Sequence, residues 1–182
     1  EPVFYQLNDQ EDKIFTKTTK MIALDFNYSR YTPLLYYRGE ITQPEELAQT
    51  NMRKFMKILL VKRLESSFYA FRQSINRFIH SYEKFIDEFD KGNVYVSKKY
   101  INKIFEFLEN DNDEAIQKLI EEDKAVKYSS NDFDPKYRGL LEKDLKTLRE
   151  IQKIWSTIDR DPKLLKFLDI LSSHPILKKN KL

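Results

Sequence analysis

Residue types that carry enzyme chemistry are sparse in this chain of 182 residues. It contains no cysteine and only two histidines, His80 and His174, which stand far apart in the sequence. A disulfide framework, a thiolate zinc site and a multi-histidine metal centre are therefore excluded. Neither histidine lies in a recognisable catalytic context, so the residues supply no set of nucleophile, base and orienting group.

Phosphate chemistry has equally little support. A phosphate-binding P-loop needs several glycines whose bare backbone wraps the phosphates, followed by Lys and Ser or Thr. The glycines of this chain, Gly39, Gly92 and Gly139, are scattered and cannot form such a loop. The tetrapeptide Asp113-Glu114-Ala115-Ile116 mimics a helicase metal-binding box, but it lies in an acidic helical stretch and not at the end of an apolar strand. A solvated helix start is the preferred interpretation.

The basic residues are the remaining candidates. Residues 51–84 contain eight basic and two acidic residues, a local net charge of +6, whereas residues 106–123 contain eight acidic and one basic residue, a net charge of −7. The surface is therefore expected to be electrostatically two-sided. The candidate nucleic-acid-binding residues are Arg53, Lys54, Lys57, Lys62, Arg63, Arg72, Arg77 and Lys84. For Lys62 and Arg63 a protein carboxylate is the favoured partner, and a basic strip alone binds with dissociation constants of about 10⁻⁴ to 10⁻⁶ M.

Hydrophobic periodicity predicts the elements that must position these charges. A first helix is expected over residues 14–24, and the tyrosine-rich residues 25–41 are expected to form an ordered loop or a short helix. Pro44 in a first turn predicts a helix that runs to Leu64. The unbroken apolar run at residues 58–61 predicts that this helix is central in the fold.

The strongest amphipathic pattern follows this run. Ser66-Ser67 predicts a break with a helix cap, after which aromatic and apolar residues repeat at three and four up to Phe89. Gly92 predicts the end of that helix. The aromatic stripe and Trp155 are expected to be core and not a platform for stacking bases, because such platforms lie on exposed sheets or grooves. Opposite the stripe, Arg72 and its polar neighbours are expected to form a solvated face.

Three further helical regions are predicted in the second half. Two helices, the second of them acidic, are expected within residues 97–123. Asp134-Pro135 and Asp161-Pro162 each provide a cap and a first helical position. The first dipeptide predicts a long helix that extends to Ile158, and the second predicts a shorter helix that His174-Pro175 stops.

Composition sets the fold class and the compartment. With 41% apolar and 34% charged residues, the chain is predicted to fold as an all-α, irregular multi-helix bundle with long helices. Short strands are expected only at the two termini. One is expected over residues 2–7, and residues 176–182 are expected to lead into a strand whose body lies beyond the last residue. A cytoplasmic location is predicted, because no stretch approaches about 20 apolar residues and no secretory signal opens the chain. The opening Glu1-Pro2, without a methionine, is interpreted as the start of an excised or processed piece.

Several blocks of the sequence resemble a known family. Arg30-Tyr31-Thr32-Pro33-Leu34 and the segment from Asn51 to Arg72, with Lys62-Arg63-Leu64-Glu65-Ser66-Ser67 at its centre, resemble bacterial superfamily 2 helicases related to the Swi/Snf translocases. In that group these blocks follow the first RecA-like lobe. Asp161-Pro162-Lys163-Leu164-Leu165 looks like the helix before the second lobe, and Phe4-Tyr5-Gln6-Leu7 is similar to the segment leaving the first lobe. Residues 93–134 lack the resemblance.

The resemblance implies a mechanical role with no catalytic residue in this piece. Residues 1–43 would leave the first motor lobe, residues 44–160 would form a helical inter-lobe domain, and residues 161–182 would lead into the second lobe. ATP and magnesium would bind elsewhere in the parent protein. The implied partners are the two lobes of its own chain and DNA or RNA, with neither a membrane nor a small-molecule substrate. The alternative is a free-standing helical interaction module that presents residues 51–84 to a protein partner.

Overall fold

The computed structural model of the protein describes residues 4–96 and 126–173. In these residues the chain forms five α-helices and one small antiparallel sheet, which confirms the predicted, mostly helical fold class. The prediction of a strand near the N terminus is wrong for residues 4–7, where Phe4 and Tyr5 are exposed. A strand needs a neighbouring strand to satisfy its backbone groups, and the chain forms that pairing at internal residues. Residues 176–182, which are expected to lead into a second strand, lie outside the described residues.

The first helix, α1, spans Asp9–Lys20 and continues into one turn of π-helix, Met21–Asp25, as the sequence predicted. Asn8 and Glu11 form a capping box in which each side chain accepts a hydrogen bond from the backbone amide of the other, both at 2.8 Å. Two short 3-10 helices, Ser29–Tyr31 and Pro33–Tyr36, follow in the tyrosine-rich segment.

Two long helices come next. Helix α2 spans Gln43–Ser66, and helix α3 spans Phe68–Asp90. Ser67 is the predicted break, and its Oγ accepts a hydrogen bond from Ala70 N at 3.3 Å. Gly92 adopts a φ of +91°, a conformation that glycine accepts without strain, and the chain turns there into the sheet.

The sheet and the last two helices complete the described fold. Strand β1, Asn93–Val96, pairs antiparallel with β2, Val126–Ser129. Helix α4 spans Lys136–Trp155, and helix α5 spans Pro162–Ser173. The helices predicted within residues 97–123 lie outside the described residues.

Helix α3 is the central helix of the bundle, and the prediction that α2 is central is wrong. α3 packs against α2 on one side and against α4 on the other. On α2, Leu60 is fully buried, but Ile58 in the same apolar run is 55% exposed. Successive residues of a helix point about 100° apart, so the four apolar residues face all sides of α2. Because α2 does not pack on all of its sides, Ile58 remains exposed.

One apolar core contains residues from both sides of position 43, the predicted boundary between the first two segments. Ile22, Phe26 and Tyr28 from the first part are buried together with residues of α2, α3 and α4. Trp155 is core as predicted, because it is 1% exposed and its Nε1 donates to Thr18 Oγ1 at 2.8 Å. None of the helices in the described ranges is long and apolar enough to span a bilayer.

Candidate functional site: a joint between two helix starts

One carboxylate caps two helices where α5 joins the rest of the fold. Asp161 Oδ2 accepts hydrogen bonds from Ser67 Oγ at 3.3 Å and from Phe68 N at 3.1 Å. Asp161 Oδ1 accepts from Leu164 N at 3.1 Å. The first amides of a helix lack intrahelical partners and carry partial positive charge, so this carboxylate satisfies the starts of α3 and α5 together. We call these four residues the Asp161 joint.

The linker between α4 and the joint is fixed to the helices behind it. Arg72 Nη1 donates to the carbonyl oxygen of Ile158 at 2.7 Å, and the Ile158 side chain is buried. Arg160 Nη1 lies 3.6 Å from Glu11 Oε1, and the Glu11 side chain is 1% exposed. Pro162, the first residue of α5, is buried as well. Helix α5 therefore leaves the fold at a position defined by contacts with α1 and α3.

A groove of about 550 Å³ opens beside the joint, between the first turns of α3 and the end of α4. Its walls combine polar residues of both charges, Arg72, Asn76, Gln152, Lys153, Ser156 and Asp159, with the apolar side chains of Ile75 and Trp155. Gln152 Nε2 donates to Asn76 Oδ1 at 2.9 Å, so two wall residues bond to each other. Ser156 Oγ donates to the Lys153 carbonyl at 2.7 Å, and no histidine lines the groove. This lining fits a surface contact of mixed polar and apolar character better than nucleophilic catalysis.

A buried carboxylate fixes the tyrosine-rich segment to the bundle. Asp144, fully buried on α4, accepts from Asn27 N and Ser29 N, each at 2.7 Å. It also accepts from Tyr82 Oη on α3 at 3.0 Å. Between the two amide donors, Tyr28 adopts a left-handed conformation with φ of 61°, which turns both amides toward the same carboxylate. These bonds give the buried charge the partners that its desolvation requires.

The tyrosines around Asp144 remain protonated and serve as hydrogen-bond donors. Burial raises the pKa of Tyr82 well above its ordinary value, and the Asp144 carboxylate raises it further. Burial and then Asp144 raise the pKa of Tyr28 in the same way. Burial also raises the pKa of Tyr137, whose hydroxyl donates to the Ser29 carbonyl at 3.0 Å. These hydrogen bonds join the tyrosine-rich segment, α3 and α4 to one another.

In the described part of the chain, no group of three or more His, Cys, Asp or Glu could hold a metal ion. Two acids near the end of α3 instead bind separate cations. Asp87 Oδ2 lies 2.6 Å from Lys91 Nζ, and Asp90 binds Arg138 through both carboxylate oxygens, at 2.6 and 2.8 Å. The tetrapeptide at residues 113–116 lies outside the described residues.

Four of the eight predicted nucleic-acid-binding residues have surroundings typical of structural residues. Arg72 bonds the linker and does not lie on the solvated face predicted for it. Lys57 Nζ donates to the carbonyl of Ala23 at 2.7 Å, and Arg63 is buried. Arg53 is half-buried, and its positive charge counteracts the rise in the pKa of Tyr28.

The other four candidates divide between two helices. Lys54, Lys62 and Lys84 are exposed, and Arg77 Nη2 donates to Ser74 Oγ at 3.2 Å. At about 100° per residue, Arg77 and Lys84 point about 20° apart around α3, whereas Lys54 and Lys62 point about 80° apart around α2. The fold therefore brings Arg77 and Lys84 to one face of α3 but does not arrange all eight residues as one strip.

Sequence reasoning missed Asp144 and one of the two roles of Asp161. Asp144 has a signal in the sequence, because it falls between Leu141, Leu145 and Leu148 on the apolar side of α4. Asp161 was predicted to cap α5, and it does. The contact of its second carboxylate oxygen with the start of α3 has no signal in the neighbouring sequence.

Comparison with models of protein families, with curated proteins and with solved structures finds no match to this chain.

Proposed function

We propose that this chain is a non-catalytic, helical inter-lobe part of an ATP-dependent DNA or RNA helicase-like translocase, and that it couples the movement of the motor lobes. The observation that supports the proposal best is the Asp161 joint. It bonds Ser67 to Asp161 across 94 positions of sequence. These residues belong to two of the separate blocks that resemble the translocase family.

The joint suits a part that transmits orientation. Its two backbone hydrogen bonds, at 3.1 Å each, connect the start of α3 directly to the start of α5. A rotation of the α2–α3 pair would therefore reorient α5 without an intervening flexible loop. One capping interaction contributes about 1 kcal/mol, so the joint can be weakened by a single substitution while the buried core remains.

The test uses the complete polypeptide that the gene encodes. We expect hydrolysis of ATP that DNA or RNA stimulates. We also expect Asp161→Ala, which removes a cap that contributes about 1 kcal/mol, to reduce the distance translocated per ATP. ATP hydrolysis itself should change little. The matched control is Asp169→Ala, which removes an acid from the same helix where it pairs at the surface with Lys166. A complete polypeptide that hydrolyses no ATP with either nucleic acid would refute the proposal.

Contact with the nucleic-acid backbone is the second part of this proposal, and the exposed lysines of α2 support it. Reversing Lys54 and Lys62 to Glu should weaken binding of the 182-residue chain to a fluorescent 20-base-pair duplex at 50 mM salt. It should also flatten the salt dependence, since each phosphate contact contributes about 0.9 to the slope. Lys143→Glu with Lys146→Glu on the outer face of α4 is the control with the same change in charge. Equal losses of duplex affinity in the two variants would mean that binding depends only on the net charge of the chain.

A free-standing interaction module that presents residues 51–84 to a protein partner is the alternative, and the exposure of two large apolar residues in that range favours it. Ile58 is 55% exposed and Tyr69 is 62% exposed. The coding sequence around this segment separates the two functions. P-loop and metal-box motifs before residue 1, with an arginine-finger motif after residue 182, would support the motor part, and their absence would support the module.

A further inference from the structure

The apolar residues of α5 form one continuous surface. At about 100° per residue, the five exposed residues fall within an arc of about 160°, and Leu164, Phe167, Leu168 and Leu171 follow the spacing i, i+3, i+4, i+7. We call these five residues the α5 stripe: Leu164, Leu165, Phe167, Leu168 and Leu171. Isolated apolar residues on a surface are ordinary, but a contiguous stripe of this pattern is the form in which helices enter grooves of other proteins.

The stripe is held in place before any partner binds. The carboxylate of Asp161 caps α5, Pro162 is buried, and Arg72 holds the preceding linker through the Ile158 carbonyl. The stripe therefore does not need to be ordered on binding, which removes part of the entropic cost of association. On the polar side of α5, Lys166 and Asp169 pair with each other at 2.9 Å, which stabilises the helix itself.

The size of the stripe decides between the available occupants. Its five residues are each 39–56% exposed, which places the stripe in the range of functional patches on monomers, about 300–600 Å². A standard interface buries about 800 Å² on each partner, so two copies of this chain paired through α5 alone would bury less than that requirement. A partner in the same polypeptide needs less area, because the covalent link raises its effective concentration to the millimolar range.

From this pattern, position and area, and on the basis of the proposed function, we propose that the α5 stripe docks into an apolar groove on a separately folded domain of the same polypeptide. The occupant is a protein groove, with Phe167 and Leu168 at the centre of the contact and Leu164 and Leu171 at its two ends. The Asp161 joint then determines the angle at which that domain is held against the α2–α3 pair.

Thiol labelling tests this directly, because the chain contains no cysteine of its own. Leu168→Cys is labelled with a maleimide in the 182-residue chain and in the complete polypeptide, and mass spectrometry of the peptide that contains residue 168 reports the rate. Lys146→Cys on the exposed face of α4 is the reference position. We expect labelling at 168 to slow by about tenfold in the complete polypeptide, which corresponds to 1.4 kcal/mol. Labelling at 146 should be equal in both proteins.

The other occupants are separated by the same readout. Slower labelling at 168 as the concentration of the 182-residue chain rises would identify a second copy, and slower labelling only with vesicles of phosphatidylcholine and phosphatidylserine would identify a lipid surface. Either result overturns the inference, as does equal labelling of 168 in the two proteins. If residue 168 is labelled more slowly in a complete polypeptide that hydrolyses no ATP, the docking inference is supported and the translocase function is refuted.

Discussion

Helices α4 and α5 both begin at an Asp-Pro dipeptide and lie in different surroundings. Pro135 immediately precedes α4 and Pro162 is the first residue of α5. In each case the aspartate accepts a hydrogen bond from a first-turn amide, Lys136 N in α4 and Leu164 N in α5. Leu141 and Leu148 on α4 are fully buried, whereas Leu168 on α5 is 49% exposed. The same dipeptide and similar apolar patterns therefore produce one helix that belongs to the core and one that presents its apolar side to solvent.

The difference between α4 and α5 shows that the burial of an apolar helix face depends on contacts with other segments of the chain. The partner of α4 is α3, and their polar edges match along the pair through Gln152 with Asn76 and Arg149 with Glu83. Helix α5 is attached through its first turn, at the Asp161 joint. We interpret α4 as part of the packed helical core, and α5 as a helix whose orientation is set by that core.

The largest expected effect in this comparison is at Asp144 on α4. Asp144→Ala leaves the buried amides of Asn27 and Ser29 and the hydroxyl of Tyr82 without their acceptor. We expect a loss of about 3 to 5 kcal/mol in the free energy of unfolding, because partners of a removed buried charge keep their desolvation cost. Urea unfolding followed by circular dichroism measures it. A loss below about 1 kcal/mol would show that water replaces the carboxylate and that Asp144 does not organise this region.

Matched leucines provide the next largest effect. Leu148→Ala on α4 removes a fully buried side chain and should cost about 2 to 5 kcal/mol of unfolding free energy. Leu168→Ala on α5 should change it by less than about 0.5 kcal/mol, since the residue is half exposed. The two midpoints of urea unfolding, measured at equal slope, give the comparison. Similar losses in both variants would mean that the stripe is covered within this chain.

This pair also shows how much the sequence alone could predict. The apolar periodicity correctly predicted α1 to α5, and Ser67, Gly92 and the two Asp-Pro dipeptides marked their boundaries correctly, because caps and turns depend on neighbouring residues. Which helix is central and which faces solvent depends on contacts between distant segments. The exposure of Ile58 in an apolar run and of the α5 stripe illustrates this limit.

The same limit applies to the candidate site. Arg72 was expected to face solvent, but it bonds Ile158, 86 positions away. The contact of Asp161 with Phe68 is of the same kind, across 93 positions. Composition and local motifs identified these residues as candidates for caps and charged contacts. The contacts between distant segments determined which partner each residue binds.

Removing the joint should have a smaller effect on stability. Asp161→Ala should cost about 1 kcal/mol of unfolding free energy, the usual contribution of a cap, and Asp134→Ala at the start of α4 is the matched variant. Hydrogen exchange distinguishes the two substitutions. The amides of Phe68 and Leu164 should exchange faster only in Asp161→Ala, because only that aspartate bonds two helices. Unchanged exchange at Phe68 would contradict the double cap.

The smallest expected effect is the pH dependence of the α3–α4 edge. The hydrogen bond from Arg138 lowers the pKa of Asp90 below its ordinary value. The pair therefore stabilises the fold above about pH 4, the ordinary range of an aspartate, and this contribution is lost as the pH falls through the lower, folded pKa. Asp90 is about half exposed, so Asp90→Asn should cost less than about 1 kcal/mol at pH 7. Urea unfolding at pH 7 and pH 2.5 should show that difference shrink at the lower pH. An equal difference at both values would mean that the carboxylate charge is not involved.

The central claim is that the Asp161 joint and Arg72 fix the orientation of α5, and the distance between α3 and α5 reports that orientation. Spin labels at His80→Cys on α3 and Ser172→Cys on α5, both exposed, report the angle between the helices by double electron–electron resonance. If the joint fixes α5, the 182-residue chain gives one narrow distance distribution. Adding Arg72→Ala and Asp161→Ala should broaden that distribution while the helical circular dichroism is retained. A broad distribution in the starting protein, or a narrow one that survives both substitutions, would contradict the claim that these contacts aim α5.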